Sequence, residues 1–132
     1  VATGTYGLTS IFAFDAATGA KQWSLDVPRP MVFRPVGDAE GLPLRTALGN
    51  NVRDVCLPNA WGNPSIDAAG TVYIGHHSGV FLSLHDDNDD GRIDISEVRS
   101  FDGGAGFPGS GPALAQGLVV AASCDTVFAF RG

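Results

Sequence analysis

Residues 86 to 97 carry the most distinctive chemistry of the sequence, because acidic or amide side chains recur there at alternate positions. The segment matches the pattern D-x-[DN]-x-[DN]-G-x5-E, whose glycine at the sixth place allows a sharp turn. Such a loop surrounds a hard cation with oxygen donors, one of them a backbone carbonyl at the seventh place. The donors would be Asp86, Asn88, Asp90, Arg92, Asp94 and Glu97. The sequence therefore predicts a Ca²⁺ site that Glu97 closes with two oxygens; a solvated acidic turn and a Mg²⁺ site are the alternatives.

The segments that flank this loop are typical of strands. Residues 80 to 84 are β-branched, aromatic or aliphatic apart from one serine, and residues 97 to 101 alternate in polarity. Calcium sensors of this loop type work by moving helices, so we interpret the EF-hand-like loop as a structural clip between two strands. Ile93 stands at the eighth place, where paired loops form a short β contact, although the sequence contains no second loop of this type.

Length and composition limit the class of protein. The chain has 132 residues, of which 44% are hydrophobic and 17% charged, so it can bury a single core and is not intrinsically disordered. It contains no run of about 18 apolar residues, which argues against a membrane-spanning helix. The formal net charge is −6, to which residues 86 to 97 contribute six acidic residues and one arginine. Nucleic-acid binding through a basic face is therefore not expected.

Three short patterns recur along the second half of the chain. They are a Gly-Pro or Asn-Pro pair before a small residue, a strand-like run after a glycine, and a run that contains phenylalanine. The matched positions are Pro64 and Pro112, Tyr73 and Val120, and Phe81 and Phe128. Their offsets of 48, 47 and 47 residues agree, which indicates a repeated unit of several short strands.

Residues 11 to 23 contain a related unit with a recognisable turn. Asp15 and Thr18 can close this turn through hydrogen bonds to the backbone, and Gly19 can adopt positive φ. Together with Ala13 and Trp23, these residues give the run a sequence that resembles the repeat of the pyrroloquinoline quinone (PQQ)-like, or quinoprotein-type, β-propeller family. The resemblance implies strands arranged in propeller blades, with Trp23 packed between neighbouring blades.

We therefore predict an all-β fold, an incomplete β-propeller of about two to three blades, each a four-stranded antiparallel sheet. Residues 1–132 would form a single propeller segment with a long Pro/Gly-rich insertion. Its parts would be a partial blade at 8–27, the insertion at 28–60, a blade with the calcium loop at 61–102, and a partial blade at 110–132. Other chains or the rest of the ring would complete the propeller. A β-sandwich is the alternative, but it does not explain the constant offset.

The insertion at 28–60 is rich in proline and glycine and has no sustained periodicity. Ordered loops of this length are uncommon unless they cover a surface or bind something. We expect Leu42, Leu44 or Leu48 to pack against the blades or a partner. The segment is then either a binding loop or an insertion strapped across the blades.

No catalytic constellation is recognisable in the sequence, which has neither a nucleophile-elbow pattern nor a phosphate-binding loop. The adjacent His76 and His77 follow a predicted strand, where neighbouring side chains point to opposite faces and do not share a metal ion. We therefore expect a non-catalytic scaffold or interaction subunit of a larger assembly. Its partners would be other protein subunits or the rest of the propeller. A fragment of a quinone-dependent dehydrogenase and a lectin-like binding propeller are the alternatives.

The two cysteines, Cys56 and Cys124, are 68 residues apart, and the sequence alone leaves open whether they form a disulfide or stay as buried thiols. A disulfide and a calcium site would both suit an exported, periplasmic or organelle-lumenal protein. The chain begins at Val1 without a signal peptide in view, which suggests a mature product or a piece of a longer protein.

Overall fold

The computed structural model describes residues 4–5, 8–28, 61–76, 79–107 and 111–132, which form three antiparallel sheets and no α-helix. The strands of the first sheet are β1 (Gly4–Thr5), β2 (Leu8–Phe14) and β3 (Lys21–Pro28). Those of the second sheet are β4 (Ser65–Ile66), β5 (Val72–Gly75), β6 (Val80–Leu84) and β7 (Val98–Asp102). The third sheet contains β8 (Ala113–Ala115), β9 (Leu118–Ala122) and β10 (Val127–Arg131).

The all-β class is confirmed, and none of the three sheets closes into a barrel. Within the described residues only the second sheet has the predicted four strands, whereas the other two have three each. Residues 29–60, which hold most of the predicted insertion with Leu42, Leu44, Leu48 and Cys56, lie outside the described residues. Among the residues described, no helix has the length and apolar character that a membrane crossing requires.

The turn between β2 and β3 forms as its residue types predict. Asp15 Oδ1 accepts hydrogen bonds from the Thr18 hydroxyl (2.7 Å) and from the backbone N–H groups of Thr18 (2.7 Å) and Ala17 (3.1 Å). Gly19 has a φ of 73°, a conformation that glycine adopts without strain. The bond from the Thr18 hydroxyl, followed by that from its backbone, lowers the pKa of the Asp15 carboxyl. The predicted roles of Asp15 and Thr18 are confirmed.

The turn between β4 and β5 repeats this chemistry with a different glycine position. Asp67 Oδ1 accepts hydrogen bonds from the backbone N–H groups of Ala69 and Thr71, both at 2.9 Å. Its Oδ2 accepts one from the Tyr73 hydroxyl (3.1 Å). Burial acts to raise the pKa of Asp67, but the hydrogen bonds from Thr71, Tyr73 and Ala69 outweigh it and lower the pKa. Gly70 has a φ of 89°, which completes the turn.

The first and second sheets enclose the larger core. Trp23 and Leu25 of β3 and Ile11 of β2 pack against the side chains of β5 and β6 that point towards the first sheet. Leu84, at the end of β6, has no solvent exposure at all. Trp23 is 9% exposed and packs between two neighbouring sheets; that these sheets are propeller blades, as the resemblance implies, stays a prediction.

The second and third sheets meet through aromatic rings. Phe81 of β6 stacks on Phe130 of β10, with ring centroids 5.4 Å apart, and also contacts Phe107 at 5.3 Å. Gly75 allows the close approach of Phe107, because a Cβ atom at Gly75 would lie 2.3 Å from the Phe107 Cβ. Cys124, which follows β9, is disulfide-bonded, and its backbone N–H donates to the carbonyl of Gly106 (2.9 Å).

The constant offset of 47 residues aligns Phe81 with Phe128 in the sequence. In the structure the two rings enter the aromatic cluster from different sheets, Phe81 from the second and Phe128 from the third. Ile74 pairs with Leu82 across the β5–β6 hairpin, whereas Ala121 pairs with Phe128 across the β9–β10 hairpin. A shift of one residue turns a strand side chain to the other face of its sheet. Leu82 and Phe128 are therefore structurally equivalent, and each points back towards the sheet that precedes it in the chain.

Candidate metal-binding loop

The loop of residues 86–97 connects β6 to β7, the last two strands of the second sheet. Its last three residues, Ile95–Glu97, form a single turn of 3₁₀ helix before β7 begins at Val98. Asp89 and Gly91 have positive φ values of 56° and 80°, and these two positions turn the backbone. The predicted strand before the loop and the predicted strand after it are both present.

Glu97 is the buried acidic residue of the loop, with 8% of its surface exposed. Its Oε1 accepts a hydrogen bond from the backbone N–H of Asp87 (2.9 Å), and its Oε2 accepts one from the backbone N–H of Asp94 (2.8 Å). A buried carboxylate is costly unless hydrogen-bond donors or a cation face it. Because the two donors lie at opposite ends of the loop, Glu97 holds these ends together.

The first three predicted ligands face the backbone of the same loop. Asp86 Oδ1 accepts a hydrogen bond from the N–H of Asp90 (3.2 Å), and its Oδ2 accepts one from that of Gly91 (3.0 Å). Asn88 Oδ1 accepts from the N–H of Asp90 (2.9 Å), and Asp90 Oδ1 accepts from that of Arg92 (2.8 Å). These bonds set the loop backbone in a turn that points side-chain oxygens towards its interior.

The second half of the loop docks on the first sheet. Arg92 forms an isolated parallel bridge with Ser24 of β3, and the N–H of Ile93 donates to the carbonyl of Ser24 (3.3 Å). Ile93 is 6% exposed and joins the core formed with Trp23 and Leu25. Strand β3 thus supplies the short β contact that a second loop would otherwise make at this position. No local pattern in the sequence indicates this contact, because its two sides are 69 residues apart along the chain.

The side chains of the loop carry oxygen atoms of the kind that a hard cation binds. In the structure, however, these oxygens accept hydrogen bonds from backbone N–H groups. Within the described part of the chain, no three acidic, histidine or cysteine side chains are arranged around one point as a metal requires. Each carboxylate nevertheless has about four lone-pair directions, so a bond to one N–H leaves others for an ion. Asp86, Asn88, Asp90 and Glu97 use side-chain oxygens in this way. Of the predicted ligands Glu97 is buried and Asp86 partly buried, whereas the other four residues are exposed.

His85 links this loop to the turn between β4 and β5. Its Nδ1 lies 2.7 Å from Asp87 Oδ1, and its Nε2 lies 3.1 Å from the carbonyl oxygen of Ala69. Two acceptors facing both ring nitrogens favour the doubly protonated ring. The hydrogen bond with Asp87, followed by that with Ala69, raises the pKa of His85. The position of His85 beside the loop was visible in the sequence, but its contact with Ala69 was not.

His76 is not part of this site. Its ring is 3% exposed and lies edge-on to the indole of Trp61, with ring centroids 4.4 Å apart. This agrees with the expectation that one of the two adjacent histidines faces the core, while His77 lies outside the described residues. The buried indole Nε1 of Trp61 has no hydrogen-bond partner among the described residues.

No family model matches the chain, and no curated protein matches it. The geometry of the loop and the arrangement of the sheets are therefore the basis for a functional argument.

Proposed function

We propose that the chain is a non-catalytic segment of a PQQ-like β-propeller that acts as an interaction scaffold in a larger assembly, with a structural Ca²⁺ ion in residues 86–97. The observation that carries this proposal is the docking of the loop on β3 through Ile93 and Ser24. An ion that orders the loop would also fix the contact between the first and second sheets.

The ion would offset the charge of the loop. Six acidic residues and one arginine fall within twelve positions, and like charges held in a short hairpin repel one another. The ligands would be the side chains of Asp86, Asn88, Asp90, Asp94 and Glu97, with the carbonyl of Arg92. Glu97 already binds the N–H groups of Asp87 and Asp94, so its carboxylate is held where it can close such a site.

The scaffold part of the proposal rests on the two ends of the stack of sheets. On the outer face of the first sheet, Phe14 is 52% exposed, and on that of the third sheet, Val127 is 70% exposed. Contiguous apolar patches are typical of surfaces that other structure covers, and the rings of Phe12 and Phe14 lie side by side on the first sheet, with centroids 6.1 Å apart. Further blades, in this polypeptide or in others, would cover both ends.

The compartment that suits this proposal is exported, periplasmic or organelle-lumenal. Cys124 is disulfide-bonded, and structural disulfides persist mainly in oxidising compartments.

Calorimetric titration with Ca²⁺ tests the metal site, using a pair of variants with equal charge. Glu97→Gln removes one negative charge and one good ligand, whereas Asp89→Asn removes one charge from an exposed residue at a position that supplies no ligand. We expect the wild type and Asp89→Asn to bind at submillimolar to millimolar Ca²⁺, and Glu97→Gln to lose most of the binding heat. Equal isotherms for the two variants, or no heat for the wild type at millimolar Ca²⁺, would refute the site.

The mass of the native assembly tests the scaffold role separately. We expect the chain, purified from its source without denaturation, to run in a complex much larger than 13.7 kDa. A monomer of that mass that turns over a substrate unaided would contradict the proposal.

A further inference from the structure

The outer edge of the third sheet is open within the described residues, where β10 pairs with β9 alone. The hydrogen bonds from Ser123 N–H to the Thr126 carbonyl (2.8 Å) and from Gly132 N–H to the Gly117 carbonyl (3.3 Å) flank this ladder. Hydrogen-bonded and non-bonded pairs alternate along an antiparallel ladder. The N–H and C=O groups of Val127, Ala129 and Arg131 therefore point away from β9, towards the open edge.

This edge lacks the devices that usually prevent a strand from pairing further. The sequence Val-Phe-Ala-Phe-Arg contains no proline and no lysine, and its register with β9 runs through five residues without a bulge. Edge strands that stay unpaired are normally short, bulged or charged at their centre. The only charge on β10 is at its last residue, Arg131, so the edge is suited to accept another strand.

A groove of about 160 Å³ lies between the second and third sheets, and Phe130 of β10 forms part of its wall. Its walls are mostly apolar and include Tyr73, Phe81, Phe101, Val119 and Phe130, with Arg99 at the rim. Phe101 of β7 spans the groove and contacts the rings of Phe128 and Phe130 at 5.0 and 5.1 Å. A side chain that pointed into this groove would come from a strand lying alongside β10.

The space alongside β10 is one strand wide. Stacking of Phe81 on Phe130 places β6 over β10, so β7, which pairs with β6, extends one strand beyond the third sheet. In a symmetric pairing of two β10 strands, the β6 strand of the second copy would fall where β7 already lies. This geometry excludes a second copy joined through β10 and favours a single extended segment.

We propose that β10 accepts, by antiparallel strand addition, an extended segment of another polypeptide that places a large aliphatic side chain in the groove beside Phe101 and Phe130. The backbone of that segment bonds to Val127, Ala129 and Arg131, and its alternate side chains enter the groove. An acidic side chain opposite Arg131 completes the match. The inference deepens the scaffold function proposed above and depends on it, because it names the partner element that one edge of the scaffold binds.

The probe is a fluorescein-labelled peptide with the sequence Asp-Ile-Thr-Ile-Thr, which places its isoleucines opposite Phe130 and Phe128 and its aspartate opposite Arg131. The control peptide has both isoleucines replaced by serine. We expect saturable binding of the first peptide by fluorescence polarisation, and binding of the control weakened by roughly tenfold or more through loss of apolar burial. Equal binding of the two peptides, or no binding of either, would overturn the proposal.

Two variants at one position separate edge pairing from general damage. Ala129→Pro removes an N–H that points to the open edge and leaves the bonds from β9 to Phe128 and Phe130 in place. Ala129→Val keeps that N–H. We expect the proline variant to weaken peptide binding by roughly tenfold or more through the lost hydrogen bond and the blocked edge, and the valine variant to bind like the wild type.

Amide hydrogen exchange of the wild type gives a readout that does not depend on any variant. Peptide binding should slow exchange at Val127, Ala129 and Arg131 and leave Phe128 and Phe130, already bonded to β9, unchanged. Protection elsewhere only, or cross-linking of Ala129→Cys to residues 29–60 of the same chain, would overturn the proposal. If the peptide fails while the native complex keeps its large mass, the scaffold function stands and the β10 edge is not its binding surface.

Discussion

The second sheet packs against its two neighbours in different ways. Its face towards the first sheet is closed, and Leu84 at the centre of that interface has no exposure. Its face towards the third sheet is built from aromatic rings and keeps a groove of about 160 Å³, with Phe101 38% exposed at its side.

The difference follows from the side chains that segments outside the strands add to each interface. The closed interface receives Ile93 from the acidic loop, which fills space beside Trp23 and Leu25. The aromatic interface receives Phe107 from the segment after β7, but its outer side has no counterpart of Ile93 within the described residues. Rings that meet edge to face also leave more space between them than interlocked aliphatic side chains do.

The largest expected effect is on the closed interface. Trp23→Ala should lower the free energy of unfolding by about 3–5 kcal/mol, because it removes a large buried side chain and leaves a cavity. Denaturant unfolding followed by circular dichroism measures this change. The matched control, Val127→Ala, alters a side chain that is 70% exposed and should change the free energy by about 0.5 kcal/mol or less. Similar losses for both variants would mean that Trp23 is not buried between the first and second sheets.

A second substitution tests whether the loop contributes to the closed interface. Ile93→Ala should cost about 2–5 kcal/mol, since Ile93 is buried against β3. Ile95→Ala, two positions further along the same loop, changes a side chain that is 89% exposed and should cost about 0.5 kcal/mol or less. The two variants are compared by the same unfolding measurement. A small effect for Ile93→Ala would show that the loop only rests on the first sheet.

The aromatic interface is expected to respond to added volume. Gly75→Ala would place a Cβ 2.3 Å from the Phe107 Cβ, and we expect a loss of about 1–3 kcal/mol from overpacking. Gly132→Ala, with no atom within 4 Å of the new Cβ, is the control. If thermal unfolding gives the same melting temperature for Gly75→Ala and the wild type, the interface contains enough unfilled space for Phe107 to move away from the new methyl group.

The smallest expected effect concerns the second contact of the loop, through His85. Its pKa should lie above the ordinary histidine value and fall in Asp87→Asn, because the hydrogen bond with Asp87 is the largest cause of the shift. Since protonation is favoured in the folded state, this contact adds stability below the ordinary histidine pKa and loses it as pH rises through the raised pKa. A titration of the His85 ring signals by NMR measures both values. An identical pKa in the wild type and the variant would exclude this coupling.

The parts of the structure that the sequence predicted well are local. The Asp15–Thr18 turn follows from a side chain that accepts bonds from neighbouring N–H groups. The acidic loop has strands on both sides because residues 80–84 are mostly β-branched, aromatic or aliphatic and residues 97–101 alternate in polarity. Burial of Trp23 follows from its place in a strand. Each of these inferences needs only residues that are close together along the chain.

The parts that the sequence could not supply depend on distant segments or on one-residue differences between hairpins. No sequence pattern near Ile93 indicates that Ser24 is its partner. The constant offset aligned Phe81 with Phe128, yet pairing within the two hairpins makes Leu82 the equivalent residue. The calcium ligands were placed in one loop, but the orientation of their carboxylates depends on which N–H groups compete for them.

The contact between Ile93 and Ser24 also constrains the order in which the molecule folds. It closes a span of 69 residues, so its formation must overcome a larger loss of chain entropy than any single hairpin does. The β5–β6 and β9–β10 hairpins can form early from local contacts, whereas the loop reaches its final position only after the first sheet stands opposite the second. Until then the acidic segment is exposed to solvent, and the side chain of Ile93 faces water.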